Sequence, residues 1–355
     1  MIEIDGSYGE GGGQILRTSI ALSALTMSPV RISRIRAGRP KPGLKKQHMA
    51  GIELVARLVN AKVSGLEVGS SEVKFVPRNR SGGHFKYDVG TAGAISLVLQ
   101  AALPAAVLSP EPITFALVGG TDVKWSPPID YMREVFARQL AVIGPRIDIS
   151  LKMRGHYPRG GGRVSCEVTP IDVIKPMESI DFGKIRKVEG ISHCVRLPSH
   201  VAERQAVSAE TLLQEHSIKR IAIEKEHYEI TNDRHLGAGS GIVLWAESEL
   251  GARIGADALG ERGVRAENVG ISCAQHLLKA LSTQMAVDSH LADMLVPYLA
   301  LADGESKIGI TTVTEHLRTN IWASKQFLGS RIELEERPDG TGLLVVEGIG
   351  FALGD

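Results

Sequence analysis

Eleven histidines are spread through the 355 residues, and His316 has neighbours suited to phosphoryl chemistry. It lies in TTVTEHLRTN (residues 311–320), after a β-branched run and at the start of a helical one. A lone histidine beside a helix start is most often structural. The flanking Glu315, Arg318, Thr319 and Asn320 single this one out. A histidine that attacks phosphorus needs a neutral ring and a phosphate held by cations. Such cations are concentrated in RISRIRAGRPKPGLKKQH (residues 31–48), which carries Arg31, Arg34, Arg36, Arg39, Lys41, Lys45 and Lys46 and no acidic residue. Like charges this dense repel one another unless an anion binds. Arg36 and Arg39 flank Gly38 in a proline-containing loop, which suits bidentate phosphate capture.

The glycine-rich opening GEGGGQILR (residues 9–17) follows the strand-like IEID and precedes a helix. Glycines let backbone approach a ligand, and a helix N-terminus offers free N–H groups. No Lys-Ser/Thr pair follows the last glycine, and the G-x-G-x-x-G spacing is not kept, so neither a P-loop nor a dinucleotide fingerprint fits. Glu10 has two readings, a metal ligand or a solvated loop carboxylate. Arg17 likewise has two, a phosphate ligand or a cap on the apolar helix face. GGTDVKWSPPIDYM (residues 119–132) occupies the place after its strand that the basic loop occupies after an earlier one, and corresponding loops of a repeat often line one face. Its Pro127 and Pro128 either start the next helix or stack on a planar base. HYPRGGGR (residues 156–163) reads as a hairpin turn with Arg159 and Arg163 beside its glycines. GAGSG (residues 237–241) precedes a strand rather than a helix and reads as a turn.

These segments need elements to position them, and the chain supplies them three times over. The first copy runs IEID, the helix QILRTSIALSALT, the strand VRISRIR, the helix HMAGIELVARLVNA, and the strands KVSGLEV and EVKFVP. The second has AGAISLVLQAALPAAV, ITFALVG, IDYMREVFARQLAVIG, RIDISLKM and RVSCEVTP. The third has HLADMLVPYLALAD, KIGITTVT, TNIWASKQFLG, RIELEE and GLLVVEG. Period-two alternation marks the strands and recurrence at three and four residues marks the helices. The fold class expected is α/β (α+β): three repeated sheet-plus-two-helix units in a large domain of residues 1–182 and 276–355. Residues 183–275 break the pattern as a small inserted α/β domain. It holds the helix HVAERQAVSAETLLQEHS, the strand-like RIAIEKEHYEI, and the GAGSG turn into IVLWAES.

Composition narrows the function classes. A net charge of +1 means that any nucleic-acid contact comes from a local patch. Three scattered cysteines, Cys166, Cys194 and Cys273, without a C-x-x-C pattern, argue against a disulfide framework or a zinc site and fit a reducing compartment. The opening residues lack a signal-peptide pattern and no apolar run is long enough to span a bilayer. A cytoplasmic location and no membrane partner are expected.

GEGGGQILR, IRAGRPKPGL, GGTD, YPRGGG, HLADM and EHLRTN, in this order, resemble the RNA 3′-terminal phosphate cyclases over nearly the whole chain. The resemblance implies three units like the C-terminal domain of a translation initiation factor, plus a small inserted domain. It implies ATP-dependent conversion of an RNA 3′-phosphate to a 2′,3′-cyclic phosphate, with release of AMP and pyrophosphate and with a divalent metal, Mg or Mn. The partners implied are ATP and RNA ending in a 3′-phosphate. The family's covalent histidine matches His316. Its adenylate-binding residues match Gln100 and the stretch His290, Leu291, Ala292, Asp293 and Met294. Bacterial members carry an aromatic residue and a glutamine where this chain has His290 and Met294; His290 is expected to stack on adenine against Pro128. Arg17, Arg36, Arg39 and Gln47 are expected to hold the RNA terminal phosphate, and Glu10 to contact the metal. A non-catalytic cyclase-like protein of ribosome biogenesis is the competing reading, and His316 argues against it. An enolpyruvyl transferase would need six such units.

Overall fold

The computed structural model describes residues 1–228 and 233–353. The first unit comprises β1 (Ile2–Asp5), α1 (Gly13–Thr26), β2 (Val30–Ser33), α2 (Lys46–Leu58), β3 (Lys62–Ser64) and β4 (Val73–Val76). The second comprises β5 (Gly83–Asp88), α3 (Ile95–Ala106), β6 (Ile113–Gly119), the short helices α4 (Ile129–Tyr131) and α5 (Ala137–Leu140), β7 (Arg146–Met153) and β8 (Gly162–Thr169). The third begins at β9 (Glu178–Ser179). It resumes after an insertion of β10 (Ile185–Val195), α6 (His200–Glu215), β11 (Ile221–Tyr228), β12 (Gly239–Ser248), β13 (Arg253–Leu259) and α7 (Ala266–Ser282). Its remainder is α8 (Ser289–Leu301), β14 (Glu305–Ile310), α9 (Glu315–Leu328), β15 (Arg331–Glu336) and β16 (Gly342–Glu347).

The sheet orders are β1-β2-β4-β3, β5-β6-β8-β7 and β9-β14-β16-β15. In each, the first two strands are parallel and the other pairings antiparallel. A parallel pair cannot be joined by a hairpin and needs a crossover; α1, α3 and α8 provide it. The insertion enters the third crossover, between β9 and α8. Its own sheet has the different order β11-β10-β12-β13, with α6 and α7 packed against it.

The crossover helices are apolar nearly all round: α3 reads ISLVLQAALPAA, and residues 291–301 of α8 are all buried. Such helices belong in the interior. α1 packs on α2, α3 and α9, and α8 on α3 and α9, so the crossover helices form a shared core. Among the described residues, no helix is long and apolar enough to cross a membrane.

Some elements differ from their sequence expectation. VRISRIR stops pairing at Ser33, because Arg34 and Arg36 turn to φ 51° and 55°. KVSGLEV is cut at Ser64 by Gly65 at φ 76°. The single helix expected over IDYMREVFARQLAVIG is interrupted by a π-turn over Met132–Phe136 and ends in a 3₁₀ turn. The parallel edge strands β5 and β9, and β10, β13 and α7 in the insertion, are additional. The change-over expected at 275/276 falls inside α7. Of RIAIEKEHYEI, Glu229 and Ile230 lie outside the described residues.

Candidate active site

The three corresponding loops, after β2, β6 and β14, each lead into the unit's second helix, and the glycine-rich opening joins them from the first crossover. α9 begins at Glu315, so His316 lies in its first turn rather than in the preceding loop. Thr314 caps the helix: its Oγ1 accepts from Leu317 N at 2.9 Å. The same hydroxyl donates to Asp293 Oδ1 at 2.7 Å. One side chain thus fixes both the helix start and a buried carboxylate of α8. Asp293 Oδ2 lies 3.8 Å from His316 Nδ1, and Glu10 Oε2 lies 3.5 Å from His316 Nε2. The imidazole stands between two carboxylates, with its side chain 46% exposed.

Electrostatics suit a neutral ring. Burial lowers the His316 pKa; Glu10 opposes that and Arg17 adds to it. Burial pushes Asp293 up to about 7, against the hydrogen bond from Thr314. The Glu10–Arg39 pair, 3.0 Å apart and 41% exposed on each side, is of the exposed kind, worth only about 0.2–1 kcal/mol. Glu10 is therefore free to exchange Arg39 for another cation at small cost. Oxygen donors of this kind suit Mg²⁺ or Mn²⁺, which commonly take one or two carboxylates alongside substrate phosphates.

Of the proposed phosphate ligands, Arg17 and Arg39 meet the site. Arg17 is half-buried, donates to Gln14 Oε1, and keeps a buried Nε with no partner among the described residues. Burial lowers its pKa to about 10, partly offset by Asp293, so it remains a cation. Arg36 is buried and its Nη1 donates to the carbonyls of Lys41 (2.7 Å) and Gly43 (2.9 Å), so part of its guanidinium shapes its own loop. Gln47 lines a small crevice with Arg17 and His48.

Of the residues expected to bind the nucleotide, Gln100 Nε2 donates to Met294 Sδ at 3.2 Å, and both line a cleft with Gln14, Arg17, Asp293 and Asn320. His290 is exposed and makes an edge-on contact with Tyr131, ring centroids 5.9 Å apart. Pro128 is buried at the start of α4. Leu291 and Ala292 are completely buried core residues, so the expectation for this five-residue stretch narrows. On a helix, positions 290, 293 and 294 share a face, and 291 and 292 turn away from it.

His48 was not singled out by sequence reasoning. It ends the basic run, and no spacing marked it. Lys45 N donates to its Nδ1 at 3.2 Å, leaving Nε2 as the protonated, donating nitrogen. Burial, then Arg17, Arg36 and Lys45, push its pKa down to about 3. It is a neutral hydrogen-bond donor among cations. Asn320, also unassigned, accepts from Gln14 Nε2 (2.9 Å) and Thr18 Oγ1 (2.6 Å) and donates to the Asp293 carbonyl. It ties α1, α8 and α9 together under the site. Tyr8 stacks on Trp322, centroids 4.2 Å apart, holding the glycine-rich loop against α9.

The chain is similar to known proteins over nearly its whole length. The family model described as RNA 3′-terminal phosphate cyclase matches residues 8–334. This chain belongs to the RNA 3′-terminal phosphate cyclase family. Relatives bearing that name include one from Methanopyrus kandleri, 50% identical over 350 residues and covering 96% of this chain and 99% of the relative. One from Hyperthermus butylicus is 52% identical over 339 residues, covering 95% and 94%. One from Staphylothermus marinus is 49% identical over 354 residues, covering 99% of each.

The glycines of this cyclase-family loop are explained by the groups packed on them. A Cβ on Gly9 would lie 2.6 Å from Thr319 Oγ1, and one on Gly13 would lie 2.6 Å from His48 Nε2. Gly13→Ala keeps its helix, where alanine is favoured over glycine by up to about 1 kcal/mol, but displaces the His48 ring. The expected result is a melting temperature equal to or above wild type with kcat/KM lowered roughly 10–100-fold. Equal activity would separate His48 from the reaction.

Proposed function

We propose that this protein uses ATP to convert an RNA 3′-terminal phosphate into a 2′,3′-cyclic phosphate, with His316 as the adenylated nucleophile. The observation that carries the reading is the half-exposed His316, set between Glu10 and Asp293 and next to Arg17 and Arg39. Family membership supports the reaction class. A protein that only assembled ribosomes would have no use for a neutral imidazole among phosphate-binding cations.

His316 Nε2 attacks the α-phosphorus of ATP; the new N–P bond forms as the bond to pyrophosphate breaks. The Asp293 carboxylate, facing Nδ1–H, stabilises the positive charge that develops on the ring and keeps it oriented. Gln100, His290, Asp293 and Met294 form the nucleotide side, with His290 as the base-stacking ring beside Pro128. An oxygen of the RNA 3′-phosphate then attacks the same phosphorus and releases His316, giving an RNA-adenylate. The 2′-hydroxyl attacks the 3′-phosphorus, loses its proton, and AMP leaves. This last step is intramolecular, so positioning supplies much of the acceleration. Arg17, Arg36, Arg39, Gln47 and the His48 N–H hold the terminal phosphate. A divalent ion held by Glu10 would neutralise phosphate charge. The catalytic body comprises residues 1–182 and, after α7, residues 283–355, with the insertion between them; the protein works in the cytoplasm.

The test is a 3′-phosphorylated oligoribonucleotide incubated with protein, ATP and Mg²⁺ or Mn²⁺. Conversion to a phosphatase-resistant end that depends on ATP is expected. An end still open to phosphatase would refute the reading.

A further inference from the structure

Outside the active site, a second polar cluster is buried where the second unit meets the inserted sheet. Asp122 lies in the loop after β6, His156 in the β7–β8 turn and His193 on β10. Their exposures are 2%, 5% and 1%. The Nε2 atoms of the two histidines are 3.1 Å apart, and His193 Nε2 is 3.7 Å from Asp122 Oδ1. One donor atom from each residue lies within 4.8 Å of the others. Thr121 Oγ1 donates to Asp122 Oδ2 at 2.7 Å, and Oδ1, which faces His193, accepts from Arg154 Nη1 at 3.4 Å. The nearest cation, Arg154, is closer to Asp130 (2.8 Å) and Glu226 (2.7 Å) than to Asp122 (3.4 Å). One guanidinium thus serves three carboxylates.

The GAGSG run, which the reaction does not use, makes room for these rings. A Cβ on Gly239 would lie 2.2 Å from the His156 ring, and one on Gly241 would lie 3.0 Å from His193 Cε1. The chain therefore has glycines where side chains would crowd the two imidazoles.

We propose that Asp122, His156 and His193 bind one divalent transition-metal ion, of the Zn²⁺ class, that clamps the inserted sheet to the second unit. Two imidazoles and a carboxylate are a zinc donor set, and two nitrogens separated by about 3.3 Å are what tetrahedral coordination at about 2.0–2.1 Å requires. The remaining position is left to water. Each ring's Nδ1 lacks a protein partner among the described residues; with metal on Nε2 both become N–H donors, and ordered water must accept them. This nitrogen-rich site is chemically distinct from the oxygen donor Glu10, so Mg²⁺ does not compete for it.

The experiment uses full-length protein expressed with added zinc, purified without chelator, and measured by elemental analysis. About one ion per chain is expected in wild type, with a loss of roughly tenfold or more in His193→Ala, His156→Gln and Asp122→Asn. Glu10→Ala and the surface variant His216→Ala retain the metal. As a second measurement, wild type is unfolded with chelator and refolded with Co²⁺; the intense visible absorption of tetrahedral cobalt is expected, so a variant that fails to fold does not leave the question open. Folded wild type with no bound zinc and no tetrahedral cobalt spectrum would overturn the proposal and leave a proton shared between the two Nε2 atoms. Metal content unchanged in all three ligand variants would also overturn it.

Discussion

His316→Ala, incubated with ATP labelled at the α-phosphate, is expected to carry no acid-labile label and to lose cyclisation by at least about 10⁴-fold, the scale seen when a covalent nucleophile is removed. The protein itself should be little affected. His316 is half-exposed, and its helix is capped by Thr314 rather than by the imidazole, so the stability change stays within roughly 0.5 kcal/mol. A folded protein that cannot be labelled separates loss of the nucleophile from loss of the fold. Label undiminished in His316→Ala would put the nucleophile elsewhere, and His290, exposed on the neighbouring helix α8, would be examined next. The neutral state of the wild-type ring matters here. Burial lowers the His316 pKa, so the lone pair is available at neutral pH without a base to remove a proton from it first.

The triplication was legible because it is written in local patterns. The crossover helices α3 and α8 are largely apolar and many of the strands are rich in β-branched residues, and both are properties of contiguous residues. Two of the four additional strands have weak local signals: β9 is two residues long, and β5 alternates only between half-buried and exposed positions. His316 and the glycine-rich opening could be read for the same reason, since each lies in a compact run of residues with related chemistry. His48 could not, because its role depends on Gly13, which is 35 positions away and lacks the side chain that would exclude it. The Asp122, His156 and His193 cluster is a stronger case: its members come from two sheets, and only the packing of the insertion on the second unit unites them. Leu291 and Ala292 show the converse situation. A motif is contiguous in sequence, but a helix sends successive residues to different faces, and only every third or fourth member of HLADM reaches the cleft.

Asp293→Asn is expected to make the protein more stable at pH 8 while nearly abolishing adenylation. The wild-type carboxyl is buried and its pKa is raised from 3.8 to about 7, so the folded state binds this proton more tightly than the unfolded chain does. Below about pH 4 the group is protonated in both states and has no net effect. As pH rises from about 4 to 7, the unfolded chain ionises first and the folded state loses stability relative to it; above pH 7 the full penalty is present. A shift from 3.8 to about 7 corresponds to roughly 4 kcal/mol as an upper bound. The amide variant, which still accepts from Thr314, should recover about 1–3 kcal/mol of it and melt a few degrees higher at pH 8, with no gain at pH 4. The cost falls on chemistry. The carboxylate is what faces His316 Nδ1, so wild-type kcat/KM should decline on the acid side near pH 7 as Asp293 protonates, and the variant should be low and flat across that range. Unchanged stability at pH 8 would show that the carboxyl is not held in its neutral form. A normal acid limb in the variant would show that another group orients the nucleophile. If both expectations hold, this site maintains a destabilising charge because the reaction requires it.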